Sequence, residues 1–145
     1  MPLPTFQLPE SFTSWFAARD WQIYPHQREM IDFWQRGHST LLIAPTGAGK
    51  TLSGFLPSLI DIAKTTEDGI HTLYISPLKA LAVDIARNLE TPIKDMGLDI
   101  RIETRTGDTP QSRRSRIRTR PPHILLTTPE TLELMLSWPD AASLF

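Results

Sequence analysis

Apolar residues recur along this chain with two alternating periods. Ser39-Thr-Leu-Leu-Ile-Ala44, His71-Thr-Leu-Tyr-Ile-Ser76, Ile100 to about Thr104, and His123-Ile-Leu-Leu-Thr127 are short apolar runs with the length of buried strands. Helical spacing fills the intervals. From Gly49 to about Lys64 it is carried by Leu52, Phe55, Leu56, Leu59 and Ile60. From Leu78 to about Met96 it is carried by Leu78, Leu81, Ala82, Ile85 and Leu89, with Pro92 expected to kink the helix. Pro110–Thr119 reads as a short basic helix and Pro129–Ser137 as a closing one, with Thr128 as N-cap and Pro129 at the first helical position. Upstream, Met1–Pro9 is proline-rich and predicted irregular, and Ser11 is placed to cap a helix through Ala18. Pro25 opens another helix in which Met30, Ile31, Phe33 and Trp34 crowd one side and Gly37 marks the end. Strand–helix alternation with strands of the buried type predicts an α/β fold, a parallel sheet with helices on both faces. The expected division is N-terminal helices over 1–38 and the α/β part over 39–145.

Composition changes this picture little. The 145 residues hold 40% hydrophobic and 21% charged side chains, ordinary for one globular domain. Cysteine is absent, which excludes disulfides and thiolate metal sites. Residues 1–12 lack the basic and apolar segments of a signal peptide, and no apolar run is long enough to span a bilayer, so a cytoplasmic location without membrane contact is expected. Charge distribution matters more. Between Arg101 and Arg120, seven arginines against Glu103 and Asp108 leave +5, and with a net charge of −1 the remainder is −6. Such asymmetry points to a polyanionic partner.

The most specific chemistry lies in Ala44-Pro-Thr-Gly-Ala-Gly-Lys-Thr51, placed before a predicted helix. Glycines let the backbone fold tightly enough for successive N–H groups to face phosphate oxygens. Thr46, Gly47, Ala48 and Gly49 form that cradle, Lys50 reaches the β- and γ-phosphates, and the Thr51 hydroxyl completes magnesium coordination. The ligands expected are therefore ATP or GTP with Mg2+, and Lys50 and Thr51 are the catalytic candidates. Upstream, Tyr24-Pro-His-Gln27 resembles the Q motif of helicases, which implies that the Gln27 amide, a donor beside an acceptor, reads an adenine edge, with Tyr24 a candidate for stacking.

Three further loops follow predicted strands, at the carboxyl ends where open α/β sheets place ligands. Ser76-Pro-Leu-Lys-Ala-Leu81 supplies Pro77 and Lys79. Thr106-Gly107-Asp108 and Thr127-Thr-Pro-Glu-Thr131 supply hydroxyls, backbone N–H groups and the candidates Thr128, Pro129 and Glu130. The three loops resemble the strand-contact motifs of helicases, which touch the sugar–phosphate backbone of one strand, and since none here offers a base-reading pair that resemblance implies contact irrespective of sequence. Arg113–Arg120 has two readings. It is either a solvated face or an extra phosphate contact through Arg114 and Arg116. In the second case removing those two would lower the salt slope, by roughly 0.7 per phosphate on single strands. The four histidines show no metal-ligand spacing, and Trp15, Trp21, Trp34 and Trp138 read as packing residues.

The form Ala-x-Thr-Gly-x-Gly-Lys-Thr, the Tyr-Pro-His-Gln segment and the ordered loops resemble the superfamily-2 helicases. Residues 72–92, 103–109 and 122–130 are similar to the ligase-associated DEXH-box helicases, relatives of the large helicase-related (Lhr) group. That resemblance runs from about Leu8 onward. It implies a P-loop RecA-like sheet, an upstream Q motif in Gln27, and an ATP-dependent DNA translocase with 3′-to-5′ polarity. It also implies DNA rather than RNA as the nucleic acid, with DNA-repair proteins as partners. The sequence contains no Asp-Glu dipeptide, whereas the family's acidic box carries one on the next strand. An incomplete N-terminal RecA-like domain with little or no turnover of its own is the expectation. The alternatives are a nucleotide-gated nucleic-acid-binding module without hydrolysis, and an unrelated phosphate-loop enzyme such as a small-molecule kinase.

Overall fold

Proline, glycine and the apolar spacing set the first elements. The computed structural model describes residues 6–65 and 67–145, so the first five residues of the irregular opening lie outside the described residues. Helix α1 (Glu10–Ala18) begins after Pro9, earlier than a Ser11 cap would allow, because proline's fixed φ already suits a helix start. Helix α2 (Pro25–Gln35) has Pro25 at its first position and ends at Gly37, whose φ of 73° few other residues adopt. Helix α3 (Lys50–Ile62) buries Phe55, Leu56, Leu59 and Ile60 as its periodicity requires, and packs against α2. Of the apolar side predicted for α2, Ile31 is fully buried and Phe33 is exposed.

The strand predicted at Ser39–Ala44 does not form. The segment has no regular structure and joins no ladder among the described residues, and Leu41 and Ile43 stand 84% and 86% exposed. Apolar content gives a segment strand propensity, but a strand exists only when a neighbour takes up its N–H and C=O groups.

The chain divides into two compact units, Met1–Lys64 and Thr65–Phe145. The second holds the sheet. Strands β1 (Thr72–Ile75), β2 (Ile102–Arg105) and β3 (Ile124–Thr127) run parallel in the order β1-β3-β2. Thr72 aligns with Ile124, and Ile102 aligns with the same residue from the other side. Central β3 is buried at every position, as a strand covered on both faces must be. Between the strands, helix α4 (Lys79–Asp95) packs on β2 and β3, and helix α5 (Gln111–Thr119) follows β2. Helices α6 (Pro129–Leu136) and α7 (Ala141–Leu144) close the unit. Ile117, Leu125, Met135 and Leu144 form a core on one face, joined by Ile70 and Trp138. Alternation sends Ile124 and Leu126 to the other face. Helix α4 runs through Pro92 and buries Ala82, Ile85, Ala86, Leu89 and Ile93. Leu78 and Leu81, predicted to join that stripe, are exposed: Leu78 precedes the helix, which begins at Lys79, and the buried stripe starts at Ala82. No helix among the described residues is long and apolar enough to cross a membrane.

Candidate functional site

In the first unit the loop of residues 44–51 takes the shape its glycines permit. Gly47 and Gly49 have φ of 83° and 69°, in the left-handed region where a side chain is strained. Gly49 is the N-cap of α3, so the helix begins at Lys50 and directs its first amides into the loop. The Lys50 Nζ donates to the carbonyls of Ala44 at 2.6 Å and Pro45 at 2.9 Å. An ammonium group has three N–H donors, so one is left to meet an anion. Thr46, Gly47, Lys50 and Thr51 are exposed, and the Ala48 amide is already used on the Pro45 carbonyl at 3.3 Å.

Helix α2 braces this loop. Gln27, only 2% exposed, accepts the Tyr24 N–H at 2.9 Å through Oε1 and donates from Nε2 to the Gly49 carbonyl at 3.4 Å. Its amide thus links the start of α2 to the phosphate loop, and retains one Nε2 hydrogen and one Oε1 lone pair. A Cβ on Gly49 would lie 2.9 Å from Gln27 Nε2, so glycine is needed there for close approach as well as for φ. His26 lies 2.8 Å from the Ala48 carbonyl through Nε2. A carbonyl only accepts, so Nε2 carries the proton. The His26 ring stacks on Tyr24 at 5.4 Å and 11°. Spacing alone gives His26 no role; its place inside Tyr24–Gln27 is the available signal.

Beside these residues lies a cavity of about 450 Å³, lined by Phe16, Asp20, Trp21, Tyr24, Gln27 and Gly49 among others. That is the size of a small-molecule site with aromatic walls and a few placed polar groups. Trp21, read from sequence as a packing residue, is 54% exposed and forms part of that wall while meeting Trp15 edge-on at 5.6 Å. Cavity, buried amide and glycine cradle together fit a purine nucleotide. The Thr51 hydroxyl fits a magnesium ion shared with phosphate oxygens. Among the described residues no cluster of three or more histidine or acidic side chains could hold a metal alone.

In the second unit, carboxyl-end loops meet. Lys79 Nζ lies 3.2 Å from Asp108 Oδ2 and 3.3 Å from where a Gly107 side chain would begin. Lys79, Gly107 and Asp108 are therefore brought together, and Pro77, in a loop of this unit, and Pro129 and Glu130, in the first turn of α6, are also exposed. Thr106 and Thr128 are buried, so their hydroxyls serve the loops from within. Thr128 is the N-cap residue of α6 but makes no side-chain cap; it donates instead to the Thr131 hydroxyl at 3.1 Å. Thr127 donates to the Arg105 carbonyl at 2.7 Å, joining the ends of β3 and β2.

Most of the arginine stretch is paired. Arg113 and Arg116 both bind the Glu103 carboxylate, the former at 2.8 Å. Arg118 binds Asp140 at 2.8 Å and lies over the Trp138 ring, 4.6 Å from its centroid. The Arg118 guanidinium holds the Asp140 carboxyl below its usual range. Arg114 turns instead to the 106–109 loop, donating to the carbonyls of Thr109 and Gly107 at 2.6 Å each. Arg105 is 3% exposed, donates to the Thr106 carbonyl at 2.6 Å, and leaves Nε without a partner among the described residues. Burial, and then the Arg114 charge, lower its pKa. At the opposite ends of the strands, Arg101 binds Asp68 at 2.7 Å and holds that carboxyl low. His123 Nδ1 accepts the Arg101 N–H at 3.0 Å, and desolvation, followed by the Arg101 charge, lowers the imidazole pKa.

With this geometry in hand, comparison with known proteins gives a consistent answer. The DEAD/DEAH box helicase family model matches residues 24–144. An ATP-dependent helicase Lhr-Core from Methanocaldococcus jannaschii is 40% identical over 145 residues, covering 90% of this chain and 17% of that protein. The solved structure of the Mycobacterium smegmatis helicase Lhr bound to ssDNA and AMP-PNP matches with a TM-score of 0.86 and 37% identity, over 94% of this chain and 19% of that one. The helicase MrfA bound to DNA and AMPPNP matches at 0.82 and 34%, with the same coverage. The chain thus spans less than a fifth of the length of these relatives, and its three-stranded parallel sheet is part of a RecA-like α/β fold.

Proposed function

The chain belongs to the DEAD/DEAH box helicase family, and we propose that it is the nucleotide-gripping portion of an ATP-dependent DNA helicase or translocase. The carrying observation is the junction of three parts in one unit: a glycine cradle, the Lys50 ammonium, and a cavity walled by Trp21 and Tyr24 over the Gln27 amide. Phosphates belong at the cradle, magnesium beside Thr51, and the purine in the cavity. Lhr and MrfA, both solved with an ATP analogue and DNA, support this assignment of ligands. The exposed Lys79, Gly107, Asp108, Pro129 and Glu130 are the proposed contacts to a single strand, made to its backbone and so independent of sequence. A role in DNA repair is proposed on the resemblance to the ligase-associated DEXH-box helicases alone.

A second reading is favoured by the absence of any Asp-Glu pair in these 145 residues. Phosphoryl transfer depends on carboxylates that hold metal and position water. By that argument the chain alone binds ATP without turning it over. One experiment addresses both readings. A fluorescent ATP analogue with magnesium should bind the chain, and Lys50→Ala should weaken binding by about a hundredfold, equivalent to roughly 2–3 kcal/mol of charge-assisted hydrogen bonding. Undiminished affinity in the variant would sink the cradle assignment. Turnover stimulated by single-stranded DNA and abolished by Lys50→Ala would reject the non-hydrolysing reading.

A further inference from the structure

A turn that meets a phosphate backbone must hide its carbonyl oxygens, because these repel the ligand as strongly as amides attract it. The turn of residues 106–109 does this with two guanidinium groups. The Thr106 carbonyl accepts from Arg105 Nη1, and the Gly107 and Thr109 carbonyls accept from Arg114 Nη2 and Nε, all at 2.6 Å. Hydroxyls arrange the rest. The Thr106 N–H donates to Thr109 Oγ1 at 2.9 Å, the Asp108 N–H to Thr106 Oγ1 at 3.3 Å, and Thr109 Oγ1 donates to the Thr104 carbonyl at 3.2 Å. The Thr109 N–H turns back to the Thr106 carbonyl at 3.2 Å. Gly107 is exposed and its amide has no bond among the described residues; the Lys79 ammonium, paired with Asp108 at 3.2 Å, lies 3.3 Å from where a Gly107 side chain would begin.

Arg105 is difficult to explain as a stabilising residue. It is a buried guanidinium with a neighbouring arginine, and among the described residues it has no carboxylate partner and an unsatisfied Nε. An apolar side chain of similar length would fill the same space without that desolvation. Arg113 and Arg116 share the Glu103 carboxylate, whereas Arg114 is turned to the carbonyls of the 106–109 turn.

We propose that Arg105 and Arg114 are positioning residues for nucleic-acid binding. They hold the carbonyls of the 106–109 turn inward, so that Gly107 N–H and Lys79 face the strand backbone. This rests on the strand-contact reading above. The test measures binding of the protein to a fluorescent oligo-dT across a salt series, for the wild type, Arg105→Met, Arg114→Ala and Lys79→Ala. Arg105→Met should lower affinity about tenfold, as expected when one charge-assisted hydrogen bond is removed. Its salt slope and its midpoint of thermal unfolding should be no lower than those of the wild type. Arg114→Ala should behave alike in affinity and slope, whereas Lys79→Ala should lower the slope by roughly 0.7. Hydrogen exchange should quicken at the turn amides in both arginine variants. Wild-type affinity in Arg105→Met, or a slope reduced in Arg114→Ala as much as in Lys79→Ala, would overturn the proposal. Failure of the wild type to bind oligo-dT at any salt would overturn the strand-contact reading itself, and the proposal with it.

Discussion

The loop of residues 44–51 and the turn of residues 106–109 both lead into helices and both are offered to anions, yet opposite means hold them in shape. The first is determined by backbone. Two glycines at positive φ set its course, and the bonds that brace it fall on its own carbonyls, from Lys50, His26 and Gln27. The second is determined by side chains. Arg105, Arg114, Thr106 and Thr109 close around an otherwise ordinary turn. A backbone device admits few residue types at its key positions. A side-chain device spreads its requirements over residues that are common everywhere, and depends on the fold to bring them together.

Substitution at Gly49 should test the contrast most severely. Gly49→Ala places a side chain at φ 69° and sets a Cβ 2.9 Å from Gln27 Nε2. The strain alone is about 1–2 kcal/mol, so nucleotide affinity in a fluorescence titration should fall at least about tenfold. An unchanged affinity would show that the cradle is not fixed by its backbone. A smaller effect is expected in the sheet. Thr127→Val removes the buried hydroxyl bonded to the Arg105 carbonyl while preserving shape. Chemical denaturation should show a loss of about 1 kcal/mol, with nucleotide affinity retained. Loss of nucleotide binding there would contradict the independence of the two devices.

The mildest test uses pH. The folded His123 pKa lies below its ordinary value, so between that lowered value and about 6.5 the unfolded chain binds more protons. Its contribution to stability is present above about 6.5 and is lost as pH falls through this window. Asp68 and Asp140, both held low by arginines, act only at more acidic pH, below the ordinary carboxylate value. His123→Asn should therefore flatten the stability profile just below neutrality and leave the acid limb in place. A profile identical to the wild type would remove the histidine from that account.

The same contrast explains what can be read from sequence. Gly47, Gly49, Lys50 and Thr51 are legible because their chemistry is local, and α3, β3 and most of α4 because their apolar spacing is strong. Arg113 and Arg116 are ambiguous in sequence because their partner Glu103 is 10 and 13 residues away. His26 escapes any reading by spacing because its acceptor, Ala48, lies 22 residues on. Residues 39–44 have a strand's composition without a strand's neighbour, and periodicity cannot see the neighbour. Leu78 and Leu81 fit the helical stripe in sequence yet lie before its buried part, which starts at Ala82.

The unpaired hexapeptide Ser39-Thr-Leu-Leu-Ile-Ala44 has a practical consequence. It is uncharged, free of proline and half aliphatic, with Leu41 and Ile43 in water. Six such residues have the make-up of a self-adhesive tape, the kind that zips copies into fibrils. Pro45 at one end and Arg36 nearby at the other are its natural gatekeepers. Aggregation of concentrated stocks is therefore expected to start at this tape, and a charged residue in place of Ile43 should delay it in a light-scattering time course.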